Sequence, residues 1–121
     1  MNYRLIKSFT CAWQGIKYCV YYEKNFRVQL CVASVTLISG LYFKISIPEW
    51  LTILFFSGLV LSLEMINTTI EKLSNEICQS VNPVIKQVKD ISAGAVFLSS
   101  ILSFIVGAII FLPKIKYLFV K

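Results

Sequence analysis

The sequence contains no histidine, and its four cysteines, Cys11, Cys19, Cys31 and Cys78, form no CxxC pair. Without imidazole there is no His-based acid, base or nucleophile relay, and without paired thiols or histidine no zinc site of ordinary spacing. The thiols read as small apolar fillers. Charge is also scarce: 15% of the residues are Asp, Glu, Lys or Arg, against about a quarter in a soluble domain. A GxxxxGK[ST] phosphate loop is absent, as are the Gly-rich loop and HRD motif of protein kinases, so no standard nucleotide fold is expected. Residues 1–20 hold no unbroken apolar core followed by small residues, and no signal peptide is expected there.

What is abundant is hydrocarbon. Apolar residues make up 57% of the 121, and the mean hydropathy is +0.74. One short domain cannot bury that much apolar surface in its own core, so the surplus must face lipid or a large oligomer interface. Disorder, a disulfide scaffold and a nucleic-acid module all fit poorly. The net charge of +6 is carried by twelve basic residues spread along the chain and flanking apolar runs. That pattern suits a membrane surface rather than nucleic acid.

Four segments follow from hydrophobic periodicity. In residues 1–27, Ile6, Phe9, Trp13, Ile16 and Val20 fall on one helical face and Arg4, Lys7 and Gln14 on the other, which predicts an amphipathic surface helix. A soluble core helix has the same pattern. Three runs, 28–43, 49–71 and 91–112, are predicted to be transmembrane helices. Trp50 suits the headgroup level, the second helix should continue past the membrane face, and the third run stops at Pro113. The fold class is therefore all-α integral membrane.

Three spans put the chain ends on opposite sides. Arg4, Lys7, Lys17, Lys24, Arg27, Lys72, Lys86 and Lys89 share one side, and Lys44, Lys114, Lys116 and Lys121 the other, so the N terminus is expected in the cytoplasm. Small residues in the third span, Ala93 to Ala95, Ser99, Ser100, Ser103, Gly107 and Ala108, favour close helix association and an oligomer. Small residues that meet no second chain are the plainer reading.

Only six residues are acidic: Glu23, Glu49, Glu64, Glu71, Glu76 and Asp90. Glu64 and Glu71 lie seven apart, on one helix face, with Asn67, Thr68 and Asn75 continuing the stripe. Carboxylates near a membrane boundary are costly and tend to mark function, although Glu64 also suits an interhelical hydrogen bond and Glu71 a solvated charge. Glu23-Lys24-Asn25-Phe26-Arg27 and Lys89-Asp90 are expected at the same cytoplasmic interface. Acids that hold Mg²⁺, bases that neutralise phosphate oxygens and one carboxylate that accepts a hydroxyl proton are what phosphoryl transfer needs.

Glu64-Met-Ile-Asn67-Thr-Thr-Ile-Glu71 followed by Lys89-Asp90-Ile-Ser-Ala-Gly-Ala-Val resembles the signature of the prokaryotic diacylglycerol kinase family, small bacterial membrane lipid kinases. Trp13-Gln-Gly15, Glu23-Lys-Asn-Phe-Arg27, Pro48-Glu-Trp50 and Ile109-Ile-Phe-Leu-Pro113-Lys extend the likeness over nearly the whole chain. Its details look most like the Gram-positive branch, which includes undecaprenol kinases. The resemblance implies a homotrimer in the bacterial cell membrane, with the active site between subunits at the cytoplasmic face, ATP as phosphoryl donor and Mg²⁺ as cofactor. It assigns Glu64 as proton acceptor supported by Asn67, and Glu23 and Glu71 as the metal-holding residues that also meet ATP. Arg4, Ser80, Val81, Asn82, Lys89 and Asp90 match nucleotide contacts, and Glu64, Trp13 and Ala93 the lipid substrate.

Two positions depart from the pattern. Asn75 replaces a usual aspartate, and Asn82 stands where Gram-positive relatives often have histidine. The activity implied is phosphorylation of undecaprenol, a lipid alcohol, with diacylglycerol as the alternative substrate. A non-catalytic membrane subunit that holds anionic lipid is the competing reading from another class, and it leaves the Glu64, Asn67, Glu71 stripe without a purpose. No nucleic-acid partner is expected.

Overall fold

The computed structural model describes residues 2–120, all of whose regular elements are α-helices: α1 (Asn2–Tyr22), α2 (Lys24–Phe43), α3 (Ile47–Ile77) and α4 (Pro83–Phe119). Helices α2, α3 and α4 are long and apolar enough to cross a bilayer. Even α2, the shortest of these at 20 residues, rises about 30 Å. Helix α3 packs along both α2 and α4.

The segment read as one helix over residues 1–27 is broken at Glu23, whose backbone is extended at φ −108° and ψ 108°. The Arg27 guanidinium explains how the break is held: its Nη1 donates to the Tyr21 carbonyl at 2.8 Å and to that of Val20 at 3.4 Å. These are carbonyls of the last turn of α1, which have no helical donor of their own. Because the break spans one residue and contains neither glycine nor proline, periodicity carries no mark of it.

Between α2 and α3 the chain turns tightly. Lys44 adopts the left-handed conformation (φ 52°), and its N–H bonds to the Gly40 carbonyl. Ser46 and Glu49 then form a reciprocal capping box that starts α3, with Pro48 in the first turn. Gly40 is required by close approach: a Cβ there would lie 2.8 Å from Cη2 of Trp50. Around this turn Ile45, Ile53 and Ile110 form a small core flanked by Phe43, Trp50 and Phe111.

Helix α4 begins eight residues before the apolar run and ends beyond it. The Asn82 side chain accepts from Val84 N at 2.9 Å and Ile85 N at 3.3 Å, and Pro83 takes the first helical position, where its missing N–H costs nothing. At the other end α4 passes through Pro113 to Phe119 instead of stopping there. Lys114 ties this extension to α3 by an ion pair with Glu49 Oε2 at 2.7 Å, and also donates to the Ile110 carbonyl at 3.2 Å. Elsewhere large side chains point outward; Phe104, for example, is 78% exposed in the single chain. Such surface belongs against lipid or another copy.

Candidate active site

Toward its C-terminal end α3 buries polar side chains that a membrane helix normally avoids. Glu64 is 4% exposed and Asn67 6%, and Thr68 and Ser74 are also buried. The Thr68 hydroxyl donates to the Glu64 backbone carbonyl at 3.0 Å, which occupies the hydroxyl within the helix and leaves the Glu64 carboxylate unengaged by it. Asn67 Nδ2 donates to Glu71 Oε1 at 3.4 Å, while Asn67 Oδ1 is buried with no partner. An orphaned buried acceptor costs about 1–3 kcal/mol.

These side chains open into a cleft of about 320 Å³. Helix α3 supplies Glu64, Asn67 and Glu71, α2 supplies Asn25 and Gln29, and α4 supplies Ala93, Phe97 and Ser100. Gln29 Nε2 donates to Ser100 Oγ at 3.4 Å across the α2–α4 gap. The same two residues edge a second, apolar cleft of about 460 Å³, lined farther along the bundle by Val60, Phe56, Phe104 and Phe111. A polar chamber thus adjoins an apolar groove at Gln29 and Ser100.

Glu23 stands at the α1–α2 break, and its side chain does not cap α2, so its carboxylate is not consumed by the fold. The charges of Glu71 and Glu23 both bear on Glu64, which puts three of the six acids in one neighbourhood. Among the described residues no three or more His, Cys, Asp or Glu side chains converge as a metal cage. Mg²⁺ is ordinarily held by one or two carboxylates together with water and substrate phosphates, a donor set that Glu23 and Glu71 match in kind. Glu23 and Glu71 offer hard oxygens; the Cys19 thiol nearby is buried, and that burial with the charges of Glu23 and Glu64 pushes its pKa up, so it stays protonated and is no ligand.

A third cleft, of about 340 Å³, lies across the α3–α4 turn and is lined by Asn75, Cys78, Ser80, Val81, Asn82, Lys86, Lys89 and Asp90. Lys86 Nζ pairs with Asp90 Oδ2 at 2.7 Å, and that hydrogen bond and charge raise the Lys86 ammonium above its ordinary pKa. Lys89 Nζ instead donates to the neutral Asn75 Oδ1 at 2.9 Å. Backbone and cation together make a shallow anion-compatible surface beside the acidic cleft.

The amino-acid sequence matches the prokaryotic diacylglycerol kinase family over residues 10–111. The chain belongs to this family. It is similar to the undecaprenol kinase of Bacillus subtilis (strain 168), with 39% identity over 112 residues that make up 93% of this chain and 91% of that protein. It is also similar to a diacylglycerol kinase of Synechocystis sp. (strain ATCC 27184 / PCC 6803 / Kazusa), with 35% identity over 119 residues covering 96% of this chain and 67% of that protein.

In this family member the site residues expected from sequence separate into three groups. Glu64, Asn67, Glu71 and Ala93 line one cleft, with Glu23 nearby. Ser80, Val81, Asn82, Lys89 and Asp90 line the other. Trp13 and Arg4 line neither; both lie on the exposed part of α1, and Arg4 is about 28 Å along the helix direction from Glu23. Asn82 spends its side chain on the α4 cap, so what it offers the cleft is backbone. Sequence reasoning missed Gln29, Ser100 and Lys86 as lining residues. For Gln29 a signal existed, since an amide alone inside an apolar run must find a polar partner.

Proposed function

We propose that this family member is an ATP-dependent kinase of undecaprenol, producing undecaprenyl phosphate and ADP at the cytoplasmic face of the bacterial cell membrane. The observation that carries the reading is Glu64, buried in the polar chamber that adjoins the apolar groove at Gln29 and Ser100. A lipid alcohol suits that junction, with its hydroxyl beside Glu64 and its hydrocarbon in the groove or the bilayer.

In the reaction the lipid oxygen forms a bond to the γ-phosphorus of ATP, the bond from that phosphorus to the β–γ bridging oxygen breaks, and ADP departs. Glu64 accepts the hydroxyl proton, and Asn67, fixed by Glu71, holds the same wall of the chamber. Lys89 and the backbone of Ser80 to Asn82 bind the nucleotide across the α3–α4 turn. Glu23 and Glu71 would hold Mg²⁺, which when bound neutralises phosphate charge. Most of the rate comes from positioning two substrates that approach from different phases.

The working assembly is a homotrimer whose α1 helices lie on the membrane surface. Two observations support it: much apolar surface faces outward, and Arg4 and Trp13 reach neither cleft of their own chain. A neighbouring copy is the route by which these side chains join the nucleotide and the lipid.

The test is purified protein in liposomes with radiolabelled ATP and Mg²⁺, offered undecaprenol and diacylglycerol at matched surface concentration. A higher kcat/KM for undecaprenol is expected. The opposite ranking would make this a diacylglycerol kinase, and no transfer to either lipid would remove the kinase reading.

A further inference from the structure

The two lysines of the cleft at the α3–α4 turn are held in different ways. Lys86 is neutralised by Asp90 at 2.7 Å, whereas Lys89 is held at 2.9 Å by an uncharged amide oxygen of Asn75. Asp90 is the one carboxylate among the residues lining this cleft. With Lys86 and Asp90 cancelling, the cleft's remaining full charge is that of Lys89. The amide acts from the last turns of α3 on a lysine in the second turn of α4, across the Cys78–Asn82 connection, so it also sets where the ammonium stands relative to both helices.

We infer that Asn75 is a positioning residue for nucleotide binding: it orients the Lys89 ammonium toward a phosphate oxygen without neutralising it. This rests on the kinase reading above for the identity of the anion, a nucleoside triphosphate. Where the family pattern usually has an aspartate, which would both fix this flexible four-carbon side chain and share its charge, the amide of this chain fixes it and leaves the charge unspent. A carboxylate at this position would compete with the phosphate for the same cation, and an aliphatic side chain would leave the cation unplaced. An amide does neither.

Three variants separate charge from placement. Asn75→Asp is expected to raise the KM for Mg-ATP about fivefold at low salt with kcat at saturating ATP within about twofold, and the increase should shrink as salt screens the new pair. Asn75→Ala should raise KM by a smaller factor that does not depend on salt in the same way, because Lys89 keeps its charge and loses only its placement. In a Lys89→Ala background Asn75→Asp should add no further effect.

Binding of Mg-ATP to the lipid-free protein, followed by calorimetry, reads the same ranking without turnover. If the parent phosphorylates a lipid alcohol and Asn75→Asp leaves KM and Mg-ATP affinity unchanged, the inference is overturned while the kinase reading stands. Equal, salt-independent losses in Asn75→Asp and Asn75→Ala would reduce Asn75 to a packing role and overturn it as well. A parent that binds Mg-ATP with the predicted ranking but phosphorylates no lipid would keep the inference and remove the lipid-kinase reading. A parent that binds no Mg-ATP removes both.

Discussion

Asn67 and Glu71 stand one turn apart on α3, joined amide to carboxylate at 3.4 Å, and the other side of the same amide, Oδ1, is buried without a partner. The pair therefore fixes one oxygen of Glu71 and leaves an unsatisfied acceptor buried in the wall of the chamber that Glu64 lines. A fold that served only to pack helices would have little reason to bury such an oxygen, since an apolar side chain of similar size removes the cost. Function at this end of α3 accounts for it.

Glu64→Gln should leave the protein folded and Mg-ATP binding largely intact, yet abolish nearly all phosphoryl transfer, because an amide of nearly the same shape cannot take the hydroxyl proton. Radiometric turnover beside a thermal melt checks both halves. Activity within a few-fold of the parent would sink the proton-acceptor role.

Glu23 comes from the α1–α2 break and Glu71 from α3, but the two are proposed to serve one ion. Alanine at either position should weaken Mg²⁺-dependent ATP binding, and the double variant should lose much less than the sum of the singles. Titration of Mg-ATP at several Mg²⁺ concentrations measures the coupling, and strict additivity would place the two carboxylates in different roles.

If neighbouring copies complete each site, two inactive chains should restore activity together. Co-assembled Glu64→Gln and Glu23→Ala subunits are expected to regain part of the parent turnover, as mixed assemblies can combine intact residues from different chains. Confirmed mixed assemblies that stay inactive at every ratio would locate the whole site within one chain.

Gly40→Ala tests the turn that sets the α2–α3 approach. Its new Cβ would meet Cη2 of Trp50 at 2.8 Å and Cζ2 at 3.0 Å, so overpacking should cost about 1–3 kcal/mol. Trp50→Leu in the same chain should recover part of that loss. A melt in detergent reads the effect, and a Gly40→Ala protein as stable as the parent would show that the indole moves aside freely.

Much of this protein was legible in its sequence. The apolar runs within 28–43, 49–71 and 91–112 require helices because lipid offers backbone groups no hydrogen-bond partner, and a helix satisfies its own. The seven-residue spacing of Glu64 and Glu71 places them on one face whatever surrounds the helix. Tertiary structure decided what local pattern cannot express. The break at Glu23 depends on Arg27 reaching back to the carbonyls of Val20 and Tyr21, and the passage of α4 beyond Pro113 is accompanied by Lys114 reaching Glu49 on α3. Likewise, Gln29 meets Ser100, and Lys89 meets Asn75, only because α3 packs against both α2 and α4. Periodicity tells which face of a helix is polar; which polar groups then satisfy, neutralise or orient one another depends on distances between helices, and those are set by packing.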